Sequence, residues 1–114
     1  MPYINTTVST SISKEAQTSI KTKLGKAISL IPGKTESWLM LSFNENMDMY
    51  FKGSNEKPLA YVTVSLFGSA SDSAYDALTA EITKIISEEL SIEPACIYVK
   101  YEEISHWGWN GVNF

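Results

Sequence analysis

Pro2-Tyr3-Ile4-Asn5-Thr6-Thr7-Val8-Ser9 and Pro58-Leu59-Ala60-Tyr61-Val62-Thr63-Val64-Ser65 agree at proline, threonine, valine and serine. Each octet is rich in β-branched and aromatic residues after its proline, which reads as a strand. A proline at the front of a strand is tolerable because the first residue need not donate to the ladder. Each octet leads into a run of helix-capping residue types, Ser9-Thr10-Ser11-Ile12-Ser13 and Ser69-Ala70-Ser71-Asp72-Ser73. Apolar positions then recur at helical spacing: Ala16, Ile20, Leu24, Ala27, Ile28 and Ile31 in the first half, Tyr75, Leu78, Ile82, Ile85, Ile86 and Leu90 in the second. Pro32-Gly33 and Pro94 end these helices, and strands at Trp38–Phe43 and Ile97–Tyr101 follow. Met47–Phe51 is expected to form a short return strand.

The order β-α-β thus occurs twice, in halves of about residues 2–57 and 58–114 of a single domain. The expected fold is α+β in two layers: a four-stranded mixed sheet with two helices on one face. Leu59–Phe67 reads as nearly continuously apolar, as in strands buried on both faces. That predicts a partner on the uncovered face, and a symmetric homo-oligomer is the usual answer.

Composition removes several function classes. A formal charge of −4 argues against a nucleic-acid partner. No apolar run approaches the roughly 20 residues of a membrane span, and no secretory signal is visible. Cys96 is the only cysteine and His106 the only histidine, so neither a disulfide nor a protein-built metal site is expected. Cys96 reads as a small packed apolar group and His106 as a loop residue. An intracellular protein without a cofactor is the default. All nine basic residues are lysines. An anionic ligand therefore has to be met by lysine or backbone N–H groups rather than by a guanidinium fork.

Met1-Pro2 has two readings. Proline is a common second residue. If Met1 is trimmed, however, Pro2 becomes a secondary amine, whose ordinary pKa of roughly 7.7–8.0 falls when the group is desolvated. That is the range a general base needs. The tail, His106-Trp107-Gly108-Trp109-Asn110-Gly111-Val112-Asn113-Phe114, is too aromatic and too broken by glycine for a helix. It either docks on a neighbouring subunit or lines an aromatic pocket.

Taken together these features resemble the macrophage migration inhibitory factor family of the tautomerase superfamily. The resemblance rests on the Met-Pro start, Asn5-Thr6-Thr7-Val8, Gly33-Lys34, the doubled β-α-β order, Ile97-Tyr98-Val99-Lys100-Tyr101, and the ending Gly108-Trp109-Asn110 with Phe114. It implies a homotrimer whose sheets surround a central channel. It also implies a keto–enol tautomerase for phenylpyruvate-like aryl 2-ketoacids, dopachrome isomerisation included, with Pro2 as catalytic base and Lys34 holding the substrate carboxylate. Phe67 would supply a backbone N–H to a substrate oxygen, with Ser65 and Leu66 on the same pocket wall. Tyr98 would come from the adjacent subunit, and Trp38, Trp107, Trp109 and Phe114 would complete an aromatic box.

The chain departs from that pattern at several positions. Lys100 stands where animal members have asparagine, and Trp38 where they have tyrosine; both bear on substrate preference. Leu59-Ala60-Tyr61-Val62 replaces their C-x-x-C pair. The alternatives are a cytokine-like protein with a receptor partner and vestigial activity, and a dehalogenase or hydratase of the same superfamily, which the missing arginine disfavours. The default location is the cytoplasm, and the resemblance to animal members adds signal-independent export as the alternative.

Overall fold

The computed structural model describes residues 1–114. Strand β1 (Pro2–Val8) is followed by helix α1 (Lys14–Ala27), strand β2 (Met40–Asn44), strand β3 (Ala60–Phe67), helix α2 (Asp72–Leu90) and strand β4 (Ile97–Ile104). The tail adds two two-residue strands, β5 (Gly108–Trp109) and β6 (Val112–Asn113). The main sheet has the order β2-β1-β3-β4. The β1–β2 and β3–β4 pairs are parallel, and the strands from the two proline-led octets lie antiparallel at the centre, Pro2 opposite Leu66 and Val8 opposite Ala60. This is the mixed sheet expected, with both helices on one face.

Local chemistry sets the helix starts. Ser13 and Ser71 sit in extended backbone and accept hydrogen bonds from the N–H groups of Ala16 and Ala74. α1 stops at Ala27, earlier than its apolar spacing suggests, and tightens into a 3₁₀ turn at Ile28–Leu30. Ile31 precedes Pro32 and is already extended, as the proline ring demands of its neighbour. The core joins Ile20, Leu24 and Ile28 to Leu78, Ile82 and Ile86, above Ile4, Val8, Val62, Val64 and Leu66 of the central strands. At roughly 1.5–3 kcal/mol per fully buried aliphatic side chain, this layer dominates stability.

Several expectations are corrected. Trp38 lies in a 3₁₀ turn (Glu36–Trp38), and its strand begins only at Met40. Met47–Phe51 is not a strand. Asn46 adopts a left-handed φ of 57°, Met47 donates its N–H to the Val8 carbonyl, and Phe51 pairs only with Ser54 around Gly53. Most importantly, burial alternates along β1 and along β3 as far as Val64, beyond which Ser65 is covered as well. Ile4, Thr6, Val62 and Val64 face the helices, whereas Tyr3, Asn5, Thr63 and Ser65 face away. The open face is therefore polar, not apolar. Its side chains bond to one another, Tyr3 to Ser42 at 2.6 Å, Ser42 to Asn5 at 2.8 Å and Asn44 to Asn5 at 2.9 Å. No helix is long and apolar enough to cross a membrane.

Candidate active site

The start of β1, the end of β3 and the segment after α1 meet at one end of the sheet. After the 3₁₀ turn the chain makes a second turn, in which Gly33 adopts φ 81° and the Lys34 N–H bonds to the Ile31 carbonyl at 3.1 Å. The Lys34 side chain then reaches β3, where Nζ donates to the Phe67 carbonyl at 2.9 Å. No carboxylate pairs with Lys34, because the ion pairs of the chain are Lys23–Glu89, Lys57–Glu93 and Lys100–Glu102. Its positive charge is left for another anion.

The first residue occupies the space beside it. Pro2 is buried. The Met1 carbonyl accepts the Phe67 N–H at 3.1 Å. The terminal amine is held below its ordinary value, first by burial and then by the Lys34 ammonium, which opposes a second positive charge nearby. An amine, an ammonium and a backbone donor therefore converge within a few atoms.

An aromatic wall adjoins them. The Phe67 and Phe114 rings lie 5.6 Å apart, and Trp38 packs edge-on against Trp109 at 5.0 Å and 82°. Trp109 and Phe114 are close to parallel, at 6.5 Å and 8°. A hairpin holds this tail: Asn110 and Gly111 both have positive φ, 53° and 84°, and connect β5 to β6. Two positive φ values are what a type I′ turn requires, and Asn-Gly is its strongest signal. That dipeptide is the signal in the sequence that predicts the hairpin. The Phe114 N–H returns to the Trp107 carbonyl at 3.0 Å, so Trp107 reaches this cluster through its backbone.

Of the remaining expected residues, Leu66 and Ser65 pair with Pro2 and Tyr3 but turn to opposite faces of the sheet, and the others lie farther along the chain's fold. Leu66 is 1% exposed and packs in the core under the helices, because it alternates with Phe67. Ser65 faces the open side and donates to Glu102 at 2.8 Å. The single pocket wall expected for Ser65 and Leu66 is therefore corrected: adjacent strand residues point to opposite faces. Tyr98 pairs with Tyr61, five positions along β3 from the Leu66 that faces Pro2. At ~3.3 Å per residue that is about 17 Å from the Pro2 end. Tyr98 packs edge-on against Phe51 at 5.1 Å and helps line a cavity of about 400 Å³ with Met49, Tyr50 and Cys96. Lys100 reaches over the Tyr61 ring and lies 3.5 Å from Glu102. Ser65, and then Lys100, hold the Glu102 carboxyl below its usual range. The period-two spacing of Lys100 and Glu102 could have revealed this pair. Nothing in the sequence pointed to Phe51 against Tyr98. His106 is exposed and contacts Ser105, as a loop residue would.

Known proteins place this geometry. The family model described as macrophage migration inhibitory factor matches residues 1–114. The crystal structure of Leishmania major MIF2 is 33% identical, with a TM-score of 0.93, covering 100% of this chain and 97% of that one. The macrophage migration inhibitory factor homologue from Prochlorococcus marinus is 28% identical at a TM-score of 0.83, covering 98% of each chain. The Toxoplasma gondii macrophage migration inhibitory factor superposes at 0.90 with 20% identity, covering 98% and 99%, and so shares the fold. No match was found among curated protein sequences.

Proposed function

The chain belongs to the macrophage migration inhibitory factor family, with the tautomerase-superfamily fold, and from that premise we propose that it is a keto–enol tautomerase acting on phenylpyruvate-like aryl 2-ketoacids. Pro2, freed of Met1, is the general base. Its neutral amine removes a proton from the carbon beside the carbonyl, and the electron pair moves onto the oxygen to give an enolate. The protonated amine then delivers that proton to the oxygen, leaving the enol; the reverse path returns it to carbon. Lys34 takes the substrate carboxylate, and the Phe67 N–H takes the developing charge on oxygen. Acid and base are one group, so placement supplies much of the rate.

One observation carries this reading. The Phe67 N–H is satisfied only by the carbonyl of Met1, the residue whose loss creates the amine. Removing Met1 would unmask base and oxygen donor together, beside a lysine without a carboxylate partner. While Met1 is attached, the proline nitrogen is a tertiary amide with no basicity.

A homotrimer is part of the proposal. Tyr98 lies too far along the sheet to serve the Pro2 of its own chain, so its place in the pocket requires a neighbour. Large exposed aromatics sit at both ends, Tyr50 and Tyr98 at one, Trp38, Trp109 and Phe114 at the other. Burying such surfaces against one another would stabilise a ring of subunits.

The test is to prepare the protein with Met1 cleaved and with Met1 retained, verified by mass, and to follow phenylpyruvate tautomerisation. The cleaved form should be active and the retained form silent. Equal rates would contradict a role for the Pro2 amine.

A further inference from the structure

Gly25 lies inside α1 and is buried although it has no side chain. The carboxylate of Glu36, from the 3₁₀ turn that carries Trp38, covers it. A Cβ at Gly25 would overlap the Glu36 carboxyl carbon and one carboxyl oxygen, with the other oxygen 3.0 Å away. Glycine is the weakest helix former apart from proline, so α1 gives up local stability where this carboxylate rests. No lysine holds it there. The ion pairs of the chain omit Glu36, and they omit Lys21 and Lys26, which flank Gly25 on α1.

Sequence spacing brings the same carboxylate close to Lys34. Thr35 is extended, at φ −137° and ψ 161°, so Lys34 and Glu36 leave the chain on the same side. Two extended residues span about 7 Å, which a lysine and a glutamate turned towards each other easily bridge. Here they turn apart. Lys34 Nζ donates to the Phe67 carbonyl, while the Glu36 carboxylate rests on Gly25. The cation therefore stays without a carboxylate partner although one stands two residues away.

We propose that Gly25 is a positioning residue for the anion site: its bare backbone seats the Glu36 carboxylate and so keeps Lys34 open to the carboxylate of the substrate. The inference rests on the tautomerase reading for the identity of that anion. A side chain at position 25 removes the seat. The atoms that must move are the free end of a flexible side chain, so Glu36 swings away at little cost to the fold. It then becomes an internal competitor for Lys34. An exposed ion pair of this kind shifts an equilibrium about two- to fivefold. Substrate at high concentration displaces such a competitor, so KM rises and kcat does not change.

The experiment compares Gly25→Ala, Glu36→Gln and the double variant with wild type, all with Met1 cleaved. Gly25→Ala should raise KM for phenylpyruvate about two- to fivefold and leave kcat unchanged. Its unfolding midpoint should be equal or higher, since alanine is the better helix former. The ratio of its KM to that of wild type should shrink in about 1 M salt, which screens exposed pairs. Glu36→Gln in the Gly25→Ala background should restore the wild-type KM, because an amide has no charge with which to compete. An unchanged KM in Gly25→Ala would overturn the inference. A raised KM that the double variant keeps would overturn it too, as would a joint fall in kcat and midpoint. Calorimetry with trans-cinnamate, an inert aryl carboxylate, separates this inference from the one it rests on. Weaker cinnamate binding in Gly25→Ala, restored by Glu36→Gln, with no turnover by any form keeps the seat and removes the tautomerase. Wild-type turnover with the same KM in every variant keeps the tautomerase and removes the seat.

Discussion

At the scale of single residues, the site turns on how charge is left unpaired. Lys34 is committed only to a neutral carbonyl, and it helps hold the amine of Met1 below its ordinary value, as it would an amine of Pro2 in nearly the same place. Replacing it should therefore act twice. Lys34→Ala removes the anion contact, so KM for phenylpyruvate should rise by about tenfold, the worth of one charge-assisted hydrogen bond. It also removes a cation that disfavours a second positive charge, so the pKa of the Pro2 amine should rise. The amine works as a base only when neutral, and activity grows as pH rises through its pKa. The acidic limb of the kcat/KM profile should accordingly move to higher pH in the variant. A limb that stays in place would contradict a role for Lys34 in setting that pKa. The residues of this corner were legible in the sequence through Met1-Pro2, Gly33-Lys34 and the Trp-rich tail. Leu66 and Ser65 do not share the one wall expected of them. Strand geometry sends one to the core and the other to the open face.

At the scale of elements, the helices follow from caps and periodicity, and their energies can be tested separately from the chemistry. Ser71→Ala removes the acceptor for the Ala74 N–H and should cost about 1 kcal/mol in denaturant unfolding. Ile82→Ala, at a position with no exposed surface, should cost about 2–5 kcal/mol through lost burial and a cavity. Neither should change KM, since neither touches the site. The hairpin behaves differently. Gly111→Val forces a β-branched residue to φ 84°, where only glycine sits easily. The expected outcome is a loosened β5–β6 pair and a raised KM for aryl substrates, with global stability nearly unchanged. An unaltered KM would show that Trp109 does not depend on the turn. The helices and long strands were readable because their periodicity extends over many residues. The loop at residues 45–57 was not, because Met47–Phe51 has strand composition but no free ladder to join. Its N–H and C=O groups are used by Val8 and Ser54 instead.

At the scale of the whole molecule, assembly would use a different surface from the one the sequence suggests. A nearly continuous apolar β3 suggested an apolar open face waiting for cover, whereas the face carries Tyr3, Asn5, Ser42, Ser65 and Glu102 in hydrogen-bonded chains. Such a face suits water or a hydrated channel, and the apolar contacts fall to the aromatic groups at the ends. The proposed trimer should appear in light scattering at about 38 kDa, three times the 12.7 kDa chain; a 12.7 kDa species at micromolar concentration would contradict it. The central claim remains that the amine of Pro2 moves the proton. The most direct test is the rate of phenylpyruvate tautomerisation by Met1-cleaved wild type and by Pro2→Gly, with both confirmed as equally folded. The account predicts a loss of about 10²-fold or more, the usual worth of a placed general base. A Pro2→Gly protein that keeps the wild-type rate would contradict it.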